Sequence, residues 1–160
     1  MADPAKNTSQ QDQRSLARLA AVQALYQMEH SGKGVNAIIK EFQDHRLGGE
    51  LDGQAIRDAD DAFFTDIVEG VIEAQLKIDP FIERSLKKGW TLKRLDATAR
   101  AILRAGIFEL IRRPDVPVKV VIDEYVDLTN AFFEEGESEP SFVNGVLDSA
   151  AKDVRSEELS

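Results

Sequence analysis

The chain has 160 residues, of which 42% are hydrophobic and 31% are charged, and its formal net charge is −9. This composition is typical of a single globular domain and excludes a disordered chain. Because there is no cysteine, disulfides, thiolate nucleophiles and cysteine-ligated zinc are also excluded. An acidic chain can bind nucleic acid only through a local basic patch.

The sequence carries no targeting or membrane signal. Residues 1–12 are polar, and no run of about 18 apolar residues exists that could cross a membrane. We therefore expect a cytoplasmic protein. Its predicted organisation is a disordered tail at 1–12, a single folded domain at 13–152 and a flexible tail at 153–160.

Apolar residues recur at helical spacing through most of the chain. The pattern predicts seven helices, over 16–29, 35–45, 60–76, 80–88, 95–111, 118–133 and 140–150. Asp79 and Pro80 separate the third helix from the fourth, because proline is tolerated in a first helical turn. The valine-rich stretch 116–126 would favour a strand by propensity, but its 3.6-residue period predicts a helix. The glycine-rich segment 46–58 is predicted to be an exposed loop.

These elements predict an all-α fold. Each helix has one apolar face that needs a partner, and packing in bundles provides it. The loop at 46–58 and the break at Asp79-Pro80 indicate two sub-bundles that share a core.

The sequence contains no catalytic constellation. Ser85 and Lys88 have the serine–lysine spacing of penicillin-binding enzymes, but the motifs that accompany it there are absent. His30 and His45 are too few for a metal site of defined spacing. We therefore predict a protein that is not an enzyme and that needs neither a metal nor a cofactor.

The strongest feature of the charge pattern is a basic segment over residues 84–113. It contains nine basic and two acidic residues, a net charge of +7 in a chain whose total is −9. The basic segment could be an interaction surface, or its charge could answer neighbouring acidic helices. Both interpretations stay open at this point.

Two smaller features point to RNA. Arg14 and Arg18 are four residues apart on one helix face, and a phosphate between them would relieve their repulsion. Phe142 and Asn144 lie near the start of the last helix, where the ring could stack on an unpaired base and the amide could bind a base edge. The alternative for Phe142 is a core position beside Val146.

Four sequence strings together resemble the NusB family of bacterial transcription antitermination factors. They are AVQALY at 21–26, RAILR at 100–104 with FEL at 108–110, VPVKVVIDE at 116–124, and FVNGVLD at 142–148. The resemblance covers about residues 14–151. It implies an all-helical fold of two three-helix sub-bundles plus a C-terminal helix, and a role without catalysis.

The resemblance also implies partners. NusB-like proteins pair with NusE, a protein of the small ribosomal subunit, and the pair binds single-stranded boxA RNA in ribosomal RNA leaders. With other Nus factors they help RNA polymerase pass terminators, and they support ribosome assembly. Whether the chain forms a homodimer is left open.

Site residues follow from the same resemblance and from the charge pattern. The candidate RNA contacts are Arg14, Arg18, Lys119, Phe142 and Asn144. The candidate partner contacts are Lys88, Arg100, Arg104 and Glu109. The arginine cluster of the family is thinned here to two residues, so we expect weak RNA binding by the chain alone and stronger binding with the partner.

Two other functions are compatible with a helical fold of this kind. The chain could be a protein–protein adaptor that uses the basic segment for an acidic partner. It could also be the NusB-like module of an rRNA cytosine methyltransferase, but that enzyme needs a catalytic region with a glycine-rich cofactor loop and a cysteine, which this sequence lacks.

Overall fold

The structure, a computed structural model, describes residues 9–45, 50–51, 54–55, 59–134 and 136–159. Among these residues there are seven helices and one short pair of strands, so the prediction of an all-α fold is confirmed. The elements are α1 (Gln10–Ser31), α2 (Val35–His45), β1 (Glu50–Leu51), β2 (Gln54–Ala55), α3 (Asp61–Glu83), α4 (Ala97–Arg112), α5 (Val118–Phe132), α6 (Glu139–Val154) and α7 (Ser156–Leu159). A single 3₁₀ turn, Leu92–Arg94, precedes α4.

The predicted break at Asp79-Pro80 is wrong, because α3 continues without interruption and contains Pro80. Ile78 and Ile82, on either side of the proline, are both fully buried, so the apolar face of the helix passes across it. A backbone hydrogen bond of 3.1 Å from Arg84 N–H to the Pro80 carbonyl continues the helical pattern. Burial of this face outweighs the loss of one backbone donor.

The predicted loop at 46–58 contains a small antiparallel ladder. Glu50 lies opposite Ala55, and Leu51 lies opposite Gln54. The other positions of that loop, 46–49, 52–53 and 56–58, lie outside the described residues, as do 1–8 at the start of the chain.

The chain divides into two compact units, residues 1–69 and 70–160, with the boundary inside α3. In the first unit, α1 begins at the N-cap Ser9, whose hydroxyl accepts a hydrogen bond from Asp12 N–H, and it ends at Gly32 in a left-handed conformation. α2 packs against α1. The Phe42 ring of α2 stacks against Phe64, with their centroids 5.5 Å apart.

In the second unit, α4 packs against α5 and α6, which also pack against each other. Glycines allow two close approaches to α4. A Cβ atom on Gly70 would lie 2.0 Å from the Phe108 ring, and one on Gly106 would lie 2.9 Å from Leu147. Both positions therefore need a residue without a side chain.

The C-terminal residues are structured further along the chain than the sequence predicts. The sequence places a tail at 153–160, whereas α6 extends to Val154 and α7 reaches Leu159. Arg155 explains the difference, because its guanidinium donates hydrogen bonds to four backbone carbonyls near the junction of α4 and α5. These carbonyls belong to Glu109, Leu110, Arg113 and Val116. A charged run in the sequence gives no sign of such contacts.

Glu158 of α7 completes this junction. Its carboxylate accepts a hydrogen bond of 2.6 Å from Val118 N–H, which satisfies a free donor at the start of α5. That backbone hydrogen bond, with help from the nearby Arg155, lowers the pKa of Glu158 below its usual value.

Candidate nucleic-acid interface

Arg14 and Arg18 lie above the ring of Phe63 in the first unit. Their guanidinium carbons are 4.5 Å and 5.0 Å from the ring centroid, a distance at which a cation is attracted to the aromatic face. Asp60 lies beside Arg14, with 3.9 Å between the carboxylate oxygen and Nε. Asp60 also begins α3, because its side chain accepts a hydrogen bond from Phe63 N–H.

The expectation that both arginines lie on an exposed face is not met. Arg14 remains partly exposed, but Arg18 is only 1% exposed. The buried side of α1 is made of small residues, including Ala17 and Ala21, and Arg18 lies within it. A phosphate can therefore reach Arg14 directly, whereas contact with Arg18 would need a side-chain movement. Its role as an RNA contact stays a prediction.

Phe142 and Asn144 lie in the first turns of α6, in the second unit. Phe142 is half-buried and Asn144 is exposed, whereas Val143 and Val146 belong to the core. Neither a pure core position nor a free ring describes Phe142 well. Part of the ring packs, and part of it lines a cavity.

This cavity, the Trp90 pocket, has a volume of about 740 Å³. Its lining includes Lys87, Trp90, Arg94, Ser138, Ser141 and Phe142. Trp90 is 48% exposed, an unusual position for the largest apolar side chain. The sequence analysis missed Trp90 because it lies between two helices, outside any periodic pattern. The signal that could have found it is the sequence Gly89-Trp90, followed by Arg94.

Lys119, the remaining predicted RNA contact, lies at the start of α5 and is exposed. Its ammonium group is 3.1 Å from the Asp123 carboxylate, one helical turn further on. Pairs of this kind are worth a few tenths of a kcal/mol, about 0.3–0.5, so they leave a lysine available to another anion. Lys119 does not line the Trp90 pocket.

Three of the four predicted partner contacts have roles inside the protein. Arg100 is 7% exposed and donates hydrogen bonds to the backbone carbonyls of Leu92 and Leu95, at 2.9 and 2.8 Å. Arg104 forms a two-pronged ion pair with Asp79, at 2.9 and 3.1 Å. Each contact joins α4 to another segment of the second unit.

Glu109 is the third internal residue. It is fully buried in α4 and accepts a hydrogen bond from the Tyr125 hydroxyl of α5. Lys88, the fourth candidate, is exposed. That any of the four contacts a partner stays a prediction, and the sequence could not separate buried from exposed charge in this segment.

The basic segment therefore has two parts. Its arginines are mostly engaged: Arg84 pairs with Asp153, Arg112 lies near Glu73, and Arg113 pairs with Asp115. Lys87, Lys88 and Lys93 are exposed, and within the part of the chain that the structure describes they form no ion pair. Both earlier interpretations hold in part, since internal neutralisation describes the arginines and an open basic surface describes the lysines.

Comparison with known proteins gives the family. The sequence pattern of the NusB family matches residues 15–152. The chain belongs to the NusB family. It is 56% identical over 148 residues to the transcription antitermination protein NusB of Sinorhizobium fredii, which covers 92% of this chain and 91% of the relative.

Solved structures give the same result for the fold of this NusB-family chain. A crystal structure of T. maritima NusB has a TM-score of 0.73 and 29% sequence identity, and the match covers 91% of this chain and 96% of that one. A structure of the antitermination factors NusB and NusE in complex with double-stranded RNA has a TM-score of 0.69 and 26% identity. That match covers 88% of this chain and 97% of the other.

No helix among the described residues of this NusB-family chain has the length and apolarity needed to span a membrane. The described residues also hold no group of three or more histidine, aspartate or glutamate side chains arranged to bind a metal ion.

Proposed function

We propose that this NusB-family chain is a transcription antitermination factor that binds single-stranded boxA RNA together with NusE. The observation that carries the proposal is its likeness in sequence and fold to a NusB chain solved with NusE and RNA. The chain acts by binding and not by catalysis, as one member of a complex of Nus factors on RNA polymerase. We place this activity in the cytoplasm, where the transcript is made.

The proposed RNA surface has two parts, one in each unit. In the first unit, Arg14 supplies a partly exposed guanidinium for a phosphate, with Arg18 behind it on the same Phe63 ring. In the second unit, Phe142 offers an aromatic face for an unpaired base and Asn144 offers an exposed amide for a base edge. Lys119 adds a cation for the backbone.

The proposed NusE surface lies in the second unit. Lys88 contacts the partner directly, because its ammonium group is exposed. Arg100, Arg104 and Glu109 serve the same surface from inside, by fixing α4 against α3, α5 and the segment that precedes it. Under this proposal the three residues are supports, and Lys88 is the contact.

The proposal is tested by titrating a labelled boxA-type single-stranded RNA with the chain, alone and with NusE, at two salt concentrations. We expect weak binding by the chain alone, tighter binding with NusE, and a loss of affinity as salt rises, because each phosphate contact releases a counterion. Binding of NusE with no RNA affinity in either condition would overturn it and favour the adaptor function.

Two variants locate the surface. Arg14→Ala should weaken RNA binding by a similar factor for all sequences and leave NusE binding unchanged. Phe142→Leu keeps an apolar side chain of similar size while removing the stacking face, so RNA affinity should fall while the thermal midpoint changes little. Loss of folding in Phe142→Leu would instead identify Phe142 as a core residue. Lys152→Ala, an exposed lysine paired with Asp148, is the matched control.

A further inference from the structure

The segment between α3 and α4 holds Trp90 in a defined position. Gly89 adopts a left-handed conformation with φ of +88°, and Trp90 N–H donates a hydrogen bond of 3.0 Å to the Lys87 carbonyl. Arg94 Nη1 donates to the Gly89 carbonyl at 2.8 Å, which closes the turn. These contacts fix the indole before any ligand arrives.

Arg100 holds the same segment from inside the protein. Its guanidinium is buried in α4 and binds the carbonyls of Leu92 and Leu95, on the C-terminal side of Trp90. The turn is therefore anchored at both ends, by Gly89 and by a buried cation. A side chain presented on such a support loses little conformational freedom on binding.

Trp90 and Arg94 form a stacked pair. The Arg94 guanidinium carbon lies 4.7 Å from the centroid of the Trp90 ring. Arg94 thus occupies one face of the indole and leaves the other for a ligand. The cation also polarises the ring system and provides positive charge beside the site for a phosphate.

The remaining lining of the Trp90 pocket matches the chemistry of a nucleotide. Phe142 provides a second aromatic surface, and Lys87 provides a second cation. The exposed hydroxyls of Ser138 and Ser141 and the carboxylate of Glu139 can accept hydrogen bonds from the amino groups of a base. The carboxylate of Asp96 is already engaged, because it accepts from Thr98 N–H and Ala99 N–H at the start of α4.

We propose that Trp90 is a second aromatic platform for RNA, on which one unstacked base of a single strand lies, with Arg94 behind the ring and Lys87 beside the phosphate. This inference rests on the function proposed above and adds to it a contact outside the predicted set. A base on the indole and a base on Phe142 would occupy the same cavity. Single-stranded RNA is the ligand class, because a base paired and stacked in a duplex cannot enter.

Trp90 is the only tryptophan of the chain, so its fluorescence reports on this pocket alone. The unmodified chain is titrated with an end-labelled single-stranded boxA-type RNA, with NusE present if the chain alone binds weakly and with a tryptophan-free NusE in that case. Label anisotropy gives RNA binding independently of the pocket. We expect tryptophan emission to be quenched along the same saturation curve as the anisotropy signal.

Variants test the contribution of the ring to affinity. Trp90→Ala should lower RNA affinity by about tenfold, within the range that base–aromatic stacks supply, and Trp90→Phe should recover part of the loss. Phe132→Ala is the matched control, because Phe132 is 39% exposed and lies outside the pocket lining. Circular dichroism melts verify that each variant folds. If Trp90→Ala does not fold, the fluorescence titration and Trp90→Phe decide.

The outcomes separate this inference from the proposed function. RNA binding by anisotropy with unchanged tryptophan emission, and with Trp90→Ala equal to Phe132→Ala, would overturn the role of Trp90 and leave the proposed function standing. Weaker NusE binding by Trp90→Ala with unchanged RNA affinity would assign the pocket to the protein partner and overturn the inference. Failure of RNA to bind under every condition would overturn both.

Discussion

The two parts of the basic segment use the same kind of charge for different purposes. In α4, Arg100 and Arg104 are directed inward, where they bind carbonyls and a carboxylate that hold the second unit together. In the segment before α4, Lys87, Lys88 and Lys93 are exposed. A run of positive charge in a sequence can therefore combine a structural half with an interaction half, and substitutions can separate the two.

The largest effect is expected at the ion pair between Arg104 and Asp79. Arg104→Ala should lower the free energy of unfolding by about 2–3 kcal/mol, because it leaves a mostly buried carboxylate without its partner. Urea denaturation measures this change. Arg112→Ala is the control, since Arg112 lies 4.0 Å from Glu73 at the surface and should change stability by less than about 0.5 kcal/mol. Equal losses in the two variants would remove the distinction between inner and outer arginines.

The next effect is expected at Arg100. Arg100→Met should lower the free energy of unfolding by about 1.5–2 kcal/mol, because the Leu92 and Leu95 carbonyls lose a charged donor. Chemical denaturation and NusE binding are measured on the same preparation. If stability is unchanged while NusE binding is lost, Arg100 contacts the partner directly and the original sequence-based assignment is right.

A smaller effect on folding, and a clear one on RNA, is expected from the exposed lysines. Replacing Lys87, Lys88 and Lys93 together with alanine should change the free energy of unfolding by less than about 0.5 kcal/mol. The slope of log affinity for single-stranded RNA against log salt should become shallower by up to about 2, at roughly 0.7 per lost phosphate contact.

The control for this triple variant replaces three lysines elsewhere on the surface, namely Lys40, Lys77 and Lys152. It removes the same charge from the chain. If both triple variants change the salt slope equally, RNA responds to the net charge of the molecule and not to the segment before α4.

The smallest effect is expected at the contact that ends the structural half, between Glu158 and Val118. The pKa of Glu158 is lower in the folded protein than in the unfolded chain, so ionised Glu158 stabilises the fold above its unfolded pKa of about 4.3. This contribution should disappear as pH falls through the lower pKa of the folded state. The free-energy difference between the unmodified chain and Glu158→Gln should be constant from pH 7 to 5 and should narrow below about pH 4.

Urea denaturation at several pH values measures this difference, with Asp127→Asn on α5 as an exposed comparison. A gap between the unmodified chain and Glu158→Gln that stays constant down to pH 2 would show that the carboxylate charge contributes nothing to this end of the second unit.

Periodicity in the sequence predicted most helices, and the exceptions have physical causes. The interruption at Asp79-Pro80 was predicted from local preference, whereas burial of Ile78 and Ile82 on one face decided the outcome. α7 was missed because its support comes from Arg155 and Glu158, which bind α4 and α5 from more than 35 residues away.

The candidate site was harder to predict than the fold. Spacing alone places Arg14 and Arg18 on one face of α1, but only the position of Phe63, far along the chain, shows that Arg18 is covered. Trp90 has no periodic neighbours to reveal it, since a turn closed by Gly89 and Arg94 determines where it lies. In both cases, contacts between distant residues decide the exposure of a side chain.

The contact between Gly70 and Phe108 has an evolutionary consequence. Because even a methyl group on residue 70 would overlap the ring, neither position can vary alone: a larger residue at 70 requires a smaller one at 108. Gly70→Ala should therefore be harmful by itself and tolerated together with Phe108→Leu, a case of two mutations whose joint effect is milder than their sum. Relatives that diverge at one of these sites should have diverged at the other.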